Sequence, residues 1–218
     1  MLYEKIRDFF KHSIIFGLGG FAGRLIGFFL IPIYTNIFTP ADYGILTLLQ
    51  VTSKVLSIIL NFGIRQAISR IYYNNENEDY RKTVISTNIY FLITIPLIFT
   101  CILIYYSKLF SIIIFNNSEY QHYIIIVLIS AFLGILQIIP QRINRIKLHS
   151  KKYVYFQLIN LLIGLSSSIY LVVYKKMGIE GSLYAGLFTT LVLLLLMTPI
   201  LIENMNFYHM IYRHTLVS

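Results

Sequence analysis

The chain has 218 residues, of which 57% are hydrophobic and 12% charged, whereas soluble domains average about 45–50% apolar and 25% charged residues. The net charge of +9 comes from basic residues in short segments between apolar stretches, which excludes a continuous basic surface for nucleic acid. The single cysteine, Cys101, excludes an intramolecular disulfide and a cysteine-based metal site. The composition predicts an integral membrane protein.

The first twelve residues predict a short amphipathic helix at the membrane interface. Leu2, Ile6, Phe9 and Phe10 can share one apolar face, and charged residues separate them. The apolar stretch that follows has no small-residue cleavage site, so we expect this segment to be retained and not removed as a signal peptide.

Six apolar stretches come next, each long enough to cross about 30 Å of hydrocarbon as a helix. They cover residues 13–36, 43–64, 84–106, 123–140, 153–174 and 181–202. We therefore expect an all-α, polytopic membrane protein in which residues 13–202 form one bundle of about six transmembrane helices. Residues 203–218 are expected to be a cytoplasmic tail, the start of a truncated linker to a second bundle.

The segments that connect these stretches alternate in charge. Thirteen Lys and Arg residues fall on one side of the predicted bundle and three on the other. Because translocation of Lys and Arg is disfavoured, the basic side is predicted to be cytoplasmic. Both termini would then lie inside the cell, in a multi-pass protein of the cytoplasmic membrane.

Two cations lie inside predicted spans. Arg24 is eleven residues into the first span, and Lys54 is in the middle of the second. A charge at the centre of a transmembrane helix costs about 2.5–3.5 kcal/mol on insertion scales, so such a residue is expected to have a function. No span carries an Asp or Glu well inside it that could neutralise these two charges.

Polar residues accompany Lys54 at helical spacing. Intervals of three and four place the following residues on one face with it: Thr47, Gln50, Ser57 and Asn61. Milder polar faces in the fourth and fifth spans include Gln137 and Asn160. We interpret these faces as the lining of a water-filled cavity whose fixed positive charge suits a phosphate or uronic acid. The alternative is hydrogen bonding between helices, which occurs in any membrane bundle.

Motifs for catalysis do not occur in this sequence. It contains no Walker A loop, no Ser/His/Asp arrangement and no paired acidic motif for metal-dependent sugar transfer. Its five histidines lack the spacing of metal ligands. We therefore expect no enzyme activity, no cofactor and no metal site.

Several short motifs occur in an informative order. Residues 23–26 read Gly-Arg-Leu-Ile and lead to Ile-Pro-Ile-Tyr at 31–34, and residues 38–44 read Phe-Thr-Pro-Ala-Asp-Tyr-Gly. Asn-Phe-Gly-Ile follows at 61–64, and Met-Gly-Ile-Glu-Gly stands at 177–181. In order and spacing, these motifs resemble the polysaccharide transporter branch of the multidrug/oligosaccharidyl-lipid/polysaccharide exporter superfamily, and specifically its N-terminal half.

The resemblance implies a bacterial flippase for lipid-linked oligosaccharides in which two six-helix bundles alternate the access of a central cavity. The implied substrate is an undecaprenyl-phosphate-linked oligosaccharide, and the implied partners are membrane lipids, polysaccharide assembly enzymes and a second half-bundle or a second copy of this chain. By resemblance, Arg24 and Lys54 would belong to the cationic lining of the cavity.

Two other functions remain open at this point. A non-transporting membrane scaffold could organise polysaccharide assembly enzymes through its cytoplasmic loops. A half-transporter for cation-coupled multidrug efflux would need carboxylates within the membrane, and the spans contain none well inside them.

Overall fold

The computed structural model describes residues 2–61, 63, 70 and 77–203. Every regular element in these ranges is helical. The helices are α1 (Leu2–Ile37), α2 (Pro40–Leu60), α3 (Glu78–Tyr105), α4 (Ser107–Phe115), α5 (Gln121–Leu136), α6 (Ile138–Ile146), α7 (Ser150–Ser168) and α8 (Gly178–Glu203). Helix α7 continues directly into a π-helical turn, Ile169–Tyr174.

Among the described residues, five helical stretches are long and apolar enough to cross a membrane. They are Pro40–Leu60, Tyr80–Tyr105, Gln121–Ile146, Ser150–Tyr174 and Gly178–Glu203. This confirms an all-α, polytopic membrane protein. The first predicted span lies in α1, whose described apolar stretch is Gly27–Ile37.

The two ends of the chain leave parts of the domain prediction open. Helix α1 is continuous from Leu2 to Ile37, so no break in the helix marks the predicted boundary between an interfacial segment 1–12 and the first span. That division stays a prediction. The predicted tail lies outside the described residues from 204 onward.

Two clusters of buried apolar residues hold the helices together at opposite ends of the bundle. The first contains Leu60, Ile85, Ile89, Leu92, Ile135, Ile138, Ile139, Ile143 and Ile146. The second contains Leu30, Tyr34, Phe38, Leu46, Leu49, Ile124, Val127, Leu128, Val172 and Ile179. Helices α2, α5 and α8 run from the second cluster towards the first, whereas α1, α3 and α7 run the other way. This alternation of direction is the one predicted from the sequence.

Charge distinguishes the two ends. Residues 81–82 and 142–152 at the first cluster carry seven cations, which define what we call the basic end: Arg81, Lys82, Arg142, Arg145, Lys147, Lys151 and Lys152. The opposite end carries Lys108, Lys175 and Lys176. The cytoplasmic location of the basic end stays a prediction.

Helix α5 occupies the centre of the bundle. It packs against α2, α3 and α8, while α7 packs against α1 and α8. A Cβ atom added at Gly19 of α1 would lie only 3.0 Å from side-chain atoms of Tyr153 and Val154. This glycine therefore permits the close approach of α1 and α7 that small residues allow between membrane helices.

Candidate functional site

Helix α2, which carries Lys54, has a well-defined start. Thr39 and Asp42 form a capping box, because the Asp42 amide donates to Thr39 Oγ1 (3.2 Å) and the Thr39 amide donates to Asp42 Oδ2 (2.9 Å). Pro40 occupies the first helical turn, where the missing amide hydrogen costs nothing. The Phe-Thr-Pro-Ala-Asp-Tyr-Gly motif thus has a physical role as a helix start.

The polar stripe of α2 lies on the flank of the helix, about a quarter of a turn from the side that packs against the bundle. Leu46, Leu49 and Leu60 on the packed side are at most 3% exposed. Along this flank, three of the predicted site residues are exposed and two are half-buried: Thr47, Gln50 and Lys54, then Ser57 and Asn61. The structure therefore brings these five residues to one face of one helix, as predicted.

Hydrogen bonding between helices does not explain the hydroxyl groups of this stripe. Thr47 Oγ1 donates to the carbonyl of Tyr43 (2.8 Å), and Ser57 Oγ donates to the carbonyl of Ser53 (2.8 Å). Both bonds stay within α2. The hydroxyl oxygens keep their capacity to accept hydrogen bonds from a bound polar group.

Lys54 lies nearer to the basic end than the sequence suggested. Because α2 ends at Leu60, Lys54 is six residues, or about 9 Å along the helix axis, from that end. Its side chain is exposed and forms no hydrogen bond or ion pair with another described residue. The ammonium group is thus free to bind an anion beside the bundle at that depth.

The predicted face of Arg24 on α1 is open. The Arg24 side chain itself lies outside what the structure describes. Gly17, Gly20 and Gly27 share its face by spacing, and a Cβ added at any of them would meet nothing within 4 Å. This face of α1 and the exposed part of the α2 stripe, at Thr47, Gln50 and Lys54, are therefore not covered by the described part of the bundle.

Gln137 has a structural explanation that the sequence did not reveal. It is the residue at which α5 ends and α6 begins, and it is 7% exposed. Its Nε2 donates to the carbonyl of Thr190 on α8 (2.8 Å), and its Oε1 accepts from Gln141 (3.4 Å). These contacts account for Gln137 without a cavity.

The last two of the predicted cavity-lining residues are asparagines. Asn61 is the C-cap residue that follows α2, and its Oδ1 is buried without a hydrogen-bond partner among the described residues. Asn160 is half-buried on α7, the helix that packs against α1 and α8. Their assignment to a cavity lining stays a prediction.

Polar contacts that involve α8 were not found by sequence reasoning. Tyr34 donates to Ser182 Oγ (3.0 Å), and the Tyr184 hydroxyl lies 2.8 Å from His122 Nε2. Such pairs are far apart in the sequence and have no local spacing that would reveal them. The sequence indicated no partner for His122, and the structure pairs this exposed side chain with Tyr184.

The sequence of this chain matches a known family. A family model described as polysaccharide biosynthesis protein matches residues 9–215, which is most of the chain. No curated protein matches the sequence significantly.

The fold also has a counterpart among solved structures. A structure described as the outward-facing conformation of a multidrug resistance MATE family transporter of the MOP superfamily is similar, with a TM-score of 0.72 and 14% sequence identity. The similarity covers 87% of this chain and 43% of that chain. At this identity the likeness shows the fold, and this chain spans less than half the length of that transporter.

Proposed function

The chain belongs to the family of polysaccharide biosynthesis proteins, and from this premise we propose that it takes part in moving lipid-linked oligosaccharide or polysaccharide precursors across the cytoplasmic membrane. The membership confirms the resemblance seen in the sequence motifs. The proposed mechanism is alternating access of a central cavity between two bundles.

The observation that carries the proposal is the exposed part of the polar stripe, at Thr47, Gln50 and Lys54. Exposed residues on a membrane helix are normally apolar, and α2 itself exposes Val51, Val55 and Ile58 elsewhere on its surface. A lysine with polar neighbours is costly to keep against lipid. Its place on an open face is explained if that face lines an aqueous cavity.

The sign of the charge favours an anionic substrate. In the five described spans, acidic residues lie within three residues of a helix end: Asp42, Glu78, Asp79, Glu180 and Glu203. A cation without a nearby carboxylate attracts phosphate strongly in a medium of low dielectric constant. An undecaprenyl-phosphate-linked oligosaccharide has such a phosphate beside its sugars, and its lipid tail can stay in the bilayer.

A second bundle is part of this proposal. The similar transporter is more than twice as long as the part that this chain matches, and the open faces of α1 and α2 need a partner surface to enclose a cavity. We propose that a further segment or a second copy of this chain supplies it. The enzymes that assemble the polysaccharide are the proposed functional partners, since they make the substrate and consume the product.

The test uses cells that express this protein and make a surface polysaccharide, with deletion of the gene as the first comparison and Lys54→Gln as the central variant. A charge-assisted hydrogen bond contributes about 1.5–3 kcal/mol, so we expect export to fall roughly ten- to a hundredfold. Lipid-linked precursor should accumulate in the inner leaflet. Lys54→Arg should retain most export, and Lys108→Gln, on the exposed part of α4, is the matched control.

Different experimental results would contradict different parts of the proposal. Normal export with Lys54→Gln would overturn the role of the lysine. A scaffold would instead lose precursor synthesis, with no accumulation of lipid-linked intermediates, when the protein is deleted. Unchanged polysaccharide on deletion of the gene would overturn the proposed function as a whole.

A further inference from the structure

A groove lies between α7 with its π-helical turn and α8, in the half of the bundle near the opposite end. Its volume is about 800 Å³, within the range of ligand pockets of roughly 300–1,000 Å³. One wall contains Leu162, Ser166 and Tyr170, and the other contains Tyr184, Phe188 and Leu191. Phe188 and Leu162 are 52% and 61% exposed, so the groove is open at the side of the bundle.

The dimensions of the groove suit a hydrocarbon chain. From Leu162 to Tyr170 is eight residues, or about 12 Å along the helix axis. One leaflet contributes about half of a 30 Å hydrocarbon core, or roughly 15 Å. The groove thus runs along most of one leaflet, with its mouth at the opposite end of the bundle.

Two lysines place positive charge at the mouth of the groove. The Lys175 ammonium lies 5.8 Å from the centroid of the Tyr170 ring, a distance at which a cation is attracted to an aromatic face. Lys176 follows in the chain, and both lysines are exposed. One carboxylate, that of Glu180, lies in the first turn of α8.

We propose that this groove binds one chain of an anionic phospholipid, whose phosphate is held by Lys175 and Lys176. The apolar walls bind the hydrocarbon, and the two lysines select a headgroup with net negative charge. Lysines near a membrane surface contribute about 1 kcal/mol each to the attraction of anionic lipid. The site is distinct from the stripe around Lys54 and does not depend on the transported substrate.

The chain contains no tryptophan, which permits a direct test by fluorescence quenching. We would introduce Phe188→Trp, reconstitute the protein in phosphatidylcholine bilayers, and titrate with brominated phosphatidylglycerol or brominated phosphatidylcholine at low mole fraction. Two lysines that each contribute about 1 kcal/mol correspond to a roughly thirtyfold preference for the anionic lipid. Brominated phosphatidylglycerol should therefore quench the tryptophan fluorescence at a far lower mole fraction than brominated phosphatidylcholine. Leu191→Trp, in the same wall of the groove, is a second fluorescent variant that can be measured if Phe188→Trp does not fold.

Two controls test whether the lipid preference arises at the groove and whether it depends on the two lysines. Ile95→Trp on α3 is exposed and lies ten residues from the end of its helix at Tyr105, as Phe188 lies ten residues from Gly178. It should be quenched equally by both lipids. The double substitution Lys175→Gln with Lys176→Gln should remove the preference seen by Phe188→Trp. Equal quenching of Phe188→Trp by the two lipids would overturn the proposal, and so would the absence of quenching by either, which would mean that protein covers the groove.

Discussion

Tyr34 near the end of the first helix donates a hydrogen bond of 3.0 Å to Ser182 near the start of the last described helix. The two residues are 148 positions apart in the sequence. Tyr34 is also 7% exposed and packs its ring against Phe38, with centroids 4.9 Å apart. The contact joins α1 to α8 at the opposite end of the bundle.

Tyr34→Phe should weaken this connection without disturbing the packing of the ring. A hydrogen bond contributes about 0.5–1.5 kcal/mol, so we expect a loss of about that free energy of unfolding. Unfolding in mixed micelles with a denaturing detergent can measure it. The control is Tyr105→Phe, since Tyr105 is 81% exposed, and a Tyr34→Phe protein as stable as the parent would show that the hydrogen bond contributes nothing.

Gly19→Ala should destabilise the contact between α1 and α7. The new methyl group would lie 3.0 Å from Tyr153 and Val154, and overpacking of this kind costs about 1–3 kcal/mol. Gly20→Ala is the matched control, because its methyl group would meet nothing within 4 Å and alanine favours the helix by about 0.8–1 kcal/mol over glycine. The two variants should therefore change stability in opposite directions, and a shift in the same direction would contradict the described packing.

Thr39→Ala should loosen the start of α2. It removes the acceptor of the Asp42 amide, and loss of an N-cap costs about 0.5–2 kcal/mol. Hydrogen exchange of the first amides of α2 should become faster in the variant. Thr52→Ala is a suitable control, because Thr52 bonds only the Leu48 carbonyl of its own helix, and equal exchange in both variants would argue against the capping box.

His149, in the loop between α6 and α7, should titrate below the usual imidazole range. Burial lowers its pKa first, followed by the charges of Lys152 and Lys147, and Glu203 acts in the other direction. Because the unfolded chain binds the proton more readily than the folded protein, stability should fall as the pH drops below about 6.5, the ordinary pKa of histidine. In NMR titrations, Lys152→Gln should raise the pKa, whereas Lys108→Gln should leave it unchanged, and an unmoved pKa in Lys152→Gln would refute this cause.

Five of the six predicted spans, and the alternating direction of the helices, agree with the described residues, because lipid and water differ strongly as solvents. The apolar lengths and the uneven distribution of Lys and Arg reflect that difference directly. The stripe of α2 was readable for the same reason, since polar residues such as Gln50 contrast with their apolar neighbours. The predicted depth of Lys54 along its helix was less accurate, because hydropathy does not reveal that α2 ends at Leu60.

The contacts between helices could not be predicted from the sequence in this way. Inside a bilayer, a leucine that faces lipid and a leucine that faces another helix have similar surroundings, so hydrophobicity does not separate them. The junction at Gln137 depends on a carbonyl of α8 that is 53 positions away. The groove beside Phe188 depends on how two helices diverge, which no local pattern of residues specifies.

The π-helical turn Ile169–Tyr174 has a consequence for the angular phase of α7. In an α-helix, a residue five positions on is rotated by about 140° from the first, so Lys175 would point away from Tyr170. Here the Lys175 amide donates to the Tyr170 carbonyl at 2.9 Å, the five-residue closure of a π-turn, and the lysine ammonium lies 5.8 Å from the centroid of the Tyr170 ring. The five-residue closure thus keeps the cation beside the Tyr170 ring at the mouth of the groove, whereas regular α-helical turns over the same five residues would carry it to another side of the helix.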